Sequence, residues 1–260
     1  MMMRNALCAV IVLFVLATLA QAQARRAPYG LPAGARVIEE RPLELQDGKA
    51  RALVLWMVRP KKVPFEGGDD DIYTCPDETR GSYYSGPARV SLVDTAARRV
   101  VNTVRVTQED EGGADEFDLP YSIRRGSRYY HVEGVPEGKA GRPEIMYLRD
   151  YNGDGEALEF ALYDAEACMG LATTLFGYSL KQDRVIQYPL RIEESDGDSK
   201  KSVRMRYWMD YLFSKEPVEP GHWKYEIDYR GRGGTLDKHE IRYNPKLERF
   251  EGTVTYVPEP

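Results

Sequence analysis

The period of two in the apolar residues of the C-terminal third constrains the fold most strongly. Apolar residues alternate with polar ones over 223–229, again over 239–243, and once more over 250–256. Side chains at alternate positions share one face of an extended strand, so each run predicts a strand with one buried face. Glycine-rich residues 231–234 and Asn244-Pro245 separate the runs as turns. This part of the chain therefore predicts a three-stranded antiparallel meander.

Earlier segments repeat the pattern as hairpins. Three pairs of apolar runs are each joined by a short polar turn: 43–45 with 52–58, 88–93 with 100–106, and 173–180 with 185–190. No long segment has the period of a helix, and the 18 tyrosines favour sheets. We predict an all-β fold of roughly a dozen short strands, mainly antiparallel, forming a sandwich or a distorted barrel. A propeller-like fold is the alternative, although four blades would need about sixteen strands.

Residues 1–22 have the pattern of a signal peptide. Arg4 precedes an apolar run over 6–19, and Ala20-Gln21-Ala22 supplies a small-x-small cleavage site. The run of about 14 residues is short for a membrane span, which needs about 20. We expect cleavage between Ala22 and Gln23 and a periplasmic or secreted protein. An uncleaved N-terminal anchor is the alternative.

The remainder of the chain predicts one β-rich domain. Residues 23–35 are rich in Ala, Arg, Pro and Gly and predict a flexible leader, and 36–260 form the domain, with a possible sub-boundary near 195–201. No later segment is long and apolar enough to predict a membrane span. The net charge of −5 argues against nucleic acid as a partner.

Two cysteines remain after the predicted cleavage, Cys75 and Cys168. In an exported protein such a pair predicts a disulfide, and two separate buried thiols are the alternative. The bridge would join the region that follows the acidic stretch 150–155 to the segment around Cys75.

The acidic stretch 150–155, Asp-Tyr-Asn-Gly-Asp-Gly, carries the most specific chemistry in the sequence. Asp150, Asn152 and Asp154 present oxygen ligands at alternate positions, Gly155 follows, and Glu156 offers a backbone carbonyl. Oxygen ligands in a tight loop are typical of a calcium site.

The stretch resembles the Asp-x-Asn-x-Asp-Gly loops of integrin-like FG-GAP and VCBS repeats over about a dozen residues. The resemblance implies a calcium loop between two strands, closed by an acid at its ninth position. Here that position is Leu158, and Glu159 follows as the candidate fourth side-chain ligand. Ala161 occupies the twelfth position, where an EF-hand needs a bidentate Glu, and this argues against an EF-hand. A turn that binds no ion is the alternative interpretation.

Other chemistry is scarce. The three histidines have no zinc-ligand spacing, and no nucleophile elbow, phosphate loop or dinucleotide fingerprint occurs. We therefore expect an exported, non-enzymatic β protein with one structural calcium loop. Exposed Tyr or Trp would let it bind a surface glycan or protein. The alternative is that these aromatic residues only form cross-strand pairs within the sheets. The alternative is a periplasmic or secreted hydrolase, whose catalytic carboxylates spacing does not identify. Perturbed carboxyl groups in a concave pocket would favour the hydrolase.

Overall fold

The computed structural model describes residues 28–65, 79–107, 117–119, 123–125, 128–129, 144–166, 170–196, 201–231 and 233–258. These ranges contain eighteen strands, two short 3₁₀ turns and no α-helix. The prediction of an all-β, mainly antiparallel fold is confirmed. None of the four sheets within these ranges closes into a barrel, so the arrangement is sandwich-like.

The first two sheets come from the N-terminal half. The N-terminal sheet has the order β1-β2-β5-β6, formed by β1 (Ala35–Leu43), β2 (Arg51–Val58), β5 (Ala88–Asp94) and β6 (Arg99–Arg105). A small sheet contains β3 (Lys61–Phe65), β4 (Thr79–Gly86), β7 (Phe117–Leu119), β8 (Ile123–Arg125) and β9 (Arg128–Tyr129).

The other two sheets come from the C-terminal half. The central sheet contains β10 (Glu159–Glu166), β11 (Gly170–Ser179), β12 (Arg184–Gln187) and β15 (Met209–Asp210). The C-terminal sheet has the order β14-β13-β18-β17-β16, formed by β13 (Leu190–Ser195), β14 (Lys201–Arg206), β16 (His222–Asp228), β17 (Leu236–Asn244) and β18 (Arg249–Val257).

The predicted hairpins form as antiparallel pairs. Strand β1 pairs with β2, β5 with β6, and β11 with β12, and β16, β17 and β18 form the C-terminal meander. Strand β13 pairs in parallel with β18, which the sequence did not predict. Strands β13 and β14, on either side of the suggested sub-boundary near 195–201, pair with each other in one sheet.

The central sheet has a hydrophobic core on each of its faces. Phe160 and Leu162 of β10 pack in a cluster with residues of the N-terminal sheet, including Leu53 and Leu55. Tyr163 points to the opposite face of β10 and packs in a second cluster with residues of the C-terminal sheet. The central sheet therefore lies between the N-terminal and the C-terminal sheets, as the middle of three layers.

Aromatic side chains dominate the core between the central and C-terminal sheets. The ring of Phe213 lies 5.2 Å from that of Phe250 and 5.6 Å from that of Trp223, both in edge-to-face geometry. Tyr151 of the acidic loop stacks on Trp223 at 6.4 Å. Such aromatic pairs contribute about 0.5–1.5 kcal/mol each beyond their buried area. The acidic loop is thereby fixed to the C-terminal sheet.

Candidate functional site

The acidic loop begins and ends at one pair of hydrogen-bonded residues. Arg149 N donates to Glu159 O at 2.8 Å, and Glu159 N donates to Arg149 O at 3.2 Å. Downstream, the loop leads into strand β10; upstream, the described residues 144–149 form no strand and have a single bridge, at Arg149. The expectation of strands on both sides of the loop is therefore wrong for the upstream side.

The carboxylate of Asp150 organises the turn. It accepts hydrogen bonds from the backbone N–H groups of Gly153 at 2.7 Å, Asp154 at 3.1 Å and Gly155 at 2.9 Å. Gly153 and Gly155 have φ angles of +79° and +92°, a region that favours glycine. The alternate acidic positions and the two glycines thus specify the turn locally.

Asn152 connects the two other acidic side chains. Its Oδ1 accepts a hydrogen bond from Asp154 N at 2.8 Å. Its Nδ2 donates to Asp154 Oδ2 at 3.0 Å and to Glu159 Oε1 at 3.0 Å. An amide nitrogen therefore lies between two carboxyl groups.

Glu159 is a fully buried carboxyl group, with 0% of its surface exposed. Its Oε2 accepts from Tyr151 N at 3.1 Å, and its Oε1 accepts from the hydroxyl of Tyr188 at 3.3 Å. Burial, followed by the charge of Asp154, raises the pKa of Glu159 to about 8. Gly177 pairs with Glu159 across the sheet, and a Cβ on Gly177 would lie 2.7 Å from Glu159 Cγ. The sheet therefore leaves room for this side chain.

The carboxylate of Glu156 points away from the side chains of Asp150, Asn152, Asp154 and Glu159. Its Oε1 accepts a hydrogen bond from the Gln46 side chain, and its backbone carbonyl accepts from Leu158 N at 3.0 Å. The structure thus brings Asp150, Asn152, Asp154 and Glu159 into one hydrogen-bonded network and leaves the Glu156 carboxylate outside it. Within the described ranges, no group of three or more His, Cys, Asp or Glu is arranged to hold a metal ion.

The loop packs directly on the turn before β16. A Cβ on Gly153 would lie 2.8 Å from the backbone of Pro220, and a Cβ on Gly221 would lie 2.6 Å from the carbonyl oxygen of Asn152. Gly221 also has a positive φ of +71°. Two backbones therefore approach each other at a distance that only glycine permits.

A pocket of about 290 Å³ opens where these two segments meet. Its lining residues are Asn152, Gly153, Asp154, Pro220, Gly221, His222, Arg242, Tyr243 and Pro245. Sequence reasoning did not find His222, Arg242 or the buried Tyr188, because no local spacing relates them to the loop. The dipeptide Pro220-Gly221, which is typical of a turn, is a local sequence signal next to His222.

Two sequence predictions concern residues that the structure does not describe. Cys75 and Cys168 lie outside the described residues, as does the predicted signal peptide. Among the described residues, no helix is both long and apolar enough to cross a membrane. In comparisons with known proteins, no family model, curated protein or solved structure matches the chain.

Proposed function

We propose that this chain is an exported, non-enzymatic β protein whose 150–159 loop binds one structural calcium ion. The ion would fix the loop between the central and C-terminal sheets, and the protein would bind a glycan or protein at the cell surface. The observation that supports this most strongly is the buried Glu159 carboxyl group, which shares the Asn152 amide with Asp154.

A buried carboxylate next to a second carboxylate, here Glu159 beside the exposed Asp154, is unfavourable unless a cation or a proton lies with it. Without a metal ion, the raised pKa of Glu159 means that a proton neutralises it. A calcium ion would supply the positive charge instead. The side chains of Asp150, Asp154 and Glu159, the Asn152 amide oxygen after rotation of that amide, and the Glu156 carbonyl form a suitable set of oxygen ligands.

Exported compartments suit a loop of this kind. Extracellular calcium modules bind with dissociation constants of about 10⁻⁴ to 10⁻³ M, and extracellular fluids contain calcium in that range. At a free calcium concentration about thirty times the dissociation constant, binding would stabilise the fold by about 2 kcal/mol. That corresponds to a rise in Tm of about 4–8 °C for a domain of this size.

The test is calorimetric titration of the chelator-treated mature protein with calcium, together with thermal unfolding with and without calcium. We expect heat of binding and a rise in Tm. Asp150→Ala, Asp154→Ala and Glu159→Gln should each abolish both effects. Glu156→Gln is the matched control and should keep them, because Glu156 contributes only its backbone carbonyl. An unmutated protein that shows neither heat nor a change in Tm would refute the calcium site.

A periplasmic or secreted hydrolase is the second candidate, because a carboxyl group with a strongly raised pKa lies beside a pocket. The support is weaker than for the binding protein. Glu159 is fully buried and does not line the pocket, so it has no surface to offer a substrate. Turnover of a glycoside or ester substrate that depends on Asp154 would favour the hydrolase.

A further inference from the structure

The pocket beside the acidic loop contains a buried histidine without hydrogen-bond partners. Only 6% of His222 is exposed, and neither ring nitrogen has a hydrogen-bond partner among the described residues. The nearest acidic oxygens are Glu219 Oε2, 3.8 Å from Nδ1, and Glu240 Oε1, 3.4 Å from Nε2. Buried polar atoms are almost always paired, and leaving one unpaired destabilises the fold. His222 lines the pocket, and a turn of its ring towards the pocket would let a ligand hydroxyl supply the missing hydrogen bond.

The other polar groups of the pocket indicate what kind of ligand fits. Asp154 provides a carboxylate that accepts hydrogen bonds, and Arg242 provides a guanidinium that donates them. A hydroxyl group can do both, so adjacent hydroxyls on one molecule can satisfy an acceptor and a donor together.

The charge around Arg242 argues against an anionic ligand. Its Nη1 lies 3.6 Å from Glu219 Oε2, and its Nη2 lies 4.0 Å from Glu240 Oε1. Asp154 on the pocket wall adds a third carboxylate to this part of the surface, against the one guanidinium of Arg242. A negatively charged ligand would therefore be repelled, whereas a neutral one would not.

The size and the apolar walls fit a single ring. The volume of about 290 Å³ lies just below the range of small-molecule pockets, which begins near 300 Å³. Pro220, Tyr243 and Pro245 supply apolar surface beside the polar groups. A sugar ring has C–H faces and hydroxyl edges, which match these two kinds of surface.

We propose that this pocket binds one neutral hexose unit of a surface glycan. The inference rests on the proposed role as a binding protein, and it names the class of ligand for that role. Asp154 is shared with the proposed calcium site, whereas His222 and Arg242 lie on β16 and β17, outside the 150–159 loop.

The experiment is saturation-transfer NMR on the mature protein with glucose, galactose, mannose and N-acetylglucosamine as probes. We expect at least one sugar to bind with a dissociation constant of about 1 mM, as suits a ligand of a dozen heavy atoms. Arg242→Gln, on a mostly exposed side chain, and His222→Leu should each weaken binding about tenfold or more. Lys224→Gln is the control, because Lys224 is exposed beside Glu240 and does not line the pocket.

The outcomes separate this inference from the calcium proposal. Absence of binding for all four sugars, or equal binding by the Arg242→Gln variant, would overturn the sugar pocket even if calcium binds. Tighter binding of glucuronate than of glucose would overturn the assignment of a neutral ligand. Sugar binding that persists in Asp150→Ala, together with no response to calcium, would support the pocket and refute the calcium loop.

Discussion

Substituting Gly221 by alanine tests the contact between the acidic loop and the C-terminal sheet. The new Cβ would lie 2.6 Å from the carbonyl oxygen of Asn152 and 3.1 Å from its carbonyl carbon. Real Cβ atoms do not approach backbone atoms so closely, and backbone cannot rotate away as a flexible side chain can. The loop must therefore move off the turn before β16.

Two costs contribute, and a matched glycine separates them. At φ = +71° an alanine is strained by about 1–2 kcal/mol, whatever its surroundings. The overlap with Asn152 adds about 1–3 kcal/mol, the usual cost of forcing extra volume into a packed site. Gly48 has the same φ of +71°, and a Cβ added to it would meet nothing within 4 Å beyond its chain neighbours. Gly48→Ala should therefore cost only the strain.

The assay is urea unfolding of both variants in the presence of chelator, followed by calcium titration. We expect Gly221→Ala to lose about 2–5 kcal/mol of unfolding free energy and Gly48→Ala about 1–2 kcal/mol. Gly221→Ala should also bind calcium more weakly, because displacing Asn152 separates the proposed ligands. Equal losses of stability in the two variants would refute the close approach of the two backbones.

Two further predictions concern titratable side chains away from the pocket. Burial lowers the pKa of His239 to about 4, so the unfolded state takes up a proton first and stability should fall as pH drops from about 6.5 towards 4. His239→Phe, which keeps the stacking on Tyr225 at 4.4 Å, should remove that part of the pH dependence in urea unfolding; an unchanged pH profile would contradict the assignment. Asp183→Asn removes a carboxylate 3.0 Å from Arg51, and because Asp183 is 34% exposed we expect a loss of only about 1–2 kcal/mol. The exposed ion pair of Asp47 with Lys49 is the control, because Asp47→Asn should cost less stability than Asp183→Asn; equal losses from the two substitutions would show that burial of Arg51 adds nothing.

The sequence predicted those parts of the fold in which a local period determines the structure. The runs around 223–256 alternate over whole strands, and their turns contain glycine or proline, so the C-terminal meander follows directly. Strands such as β9 and β15 have only two residues and carry no period, which explains why the structure has more strands than the roughly one dozen expected. The parallel pairing of β13 with β18 joins residues about sixty apart, and no local pattern encodes it.

The candidate site shows the same division between local and distant information. The turn around Asp150 depends on side chains and glycines within six residues, so its geometry could be anticipated. The surroundings of Glu159 could not be anticipated, because in an alternating strand a polar residue is expected on the face exposed to solvent. That face of β10 instead lies against the C-terminal sheet, where Tyr188 and the aromatic cluster exclude water. The burial that perturbs Glu159 is therefore a property of the layers.

The position of the central sheet has a consequence for how the protein unfolds. Consecutive residues of β10 belong to different cores, Phe160 to one and Ala161 to the other. Neither outer sheet can detach without exposing one apolar face of the middle sheet to water, which costs about 25 cal/mol per Å² of apolar surface. The three layers should therefore lose their structure in one cooperative transition, with no stable fragment formed by two of them.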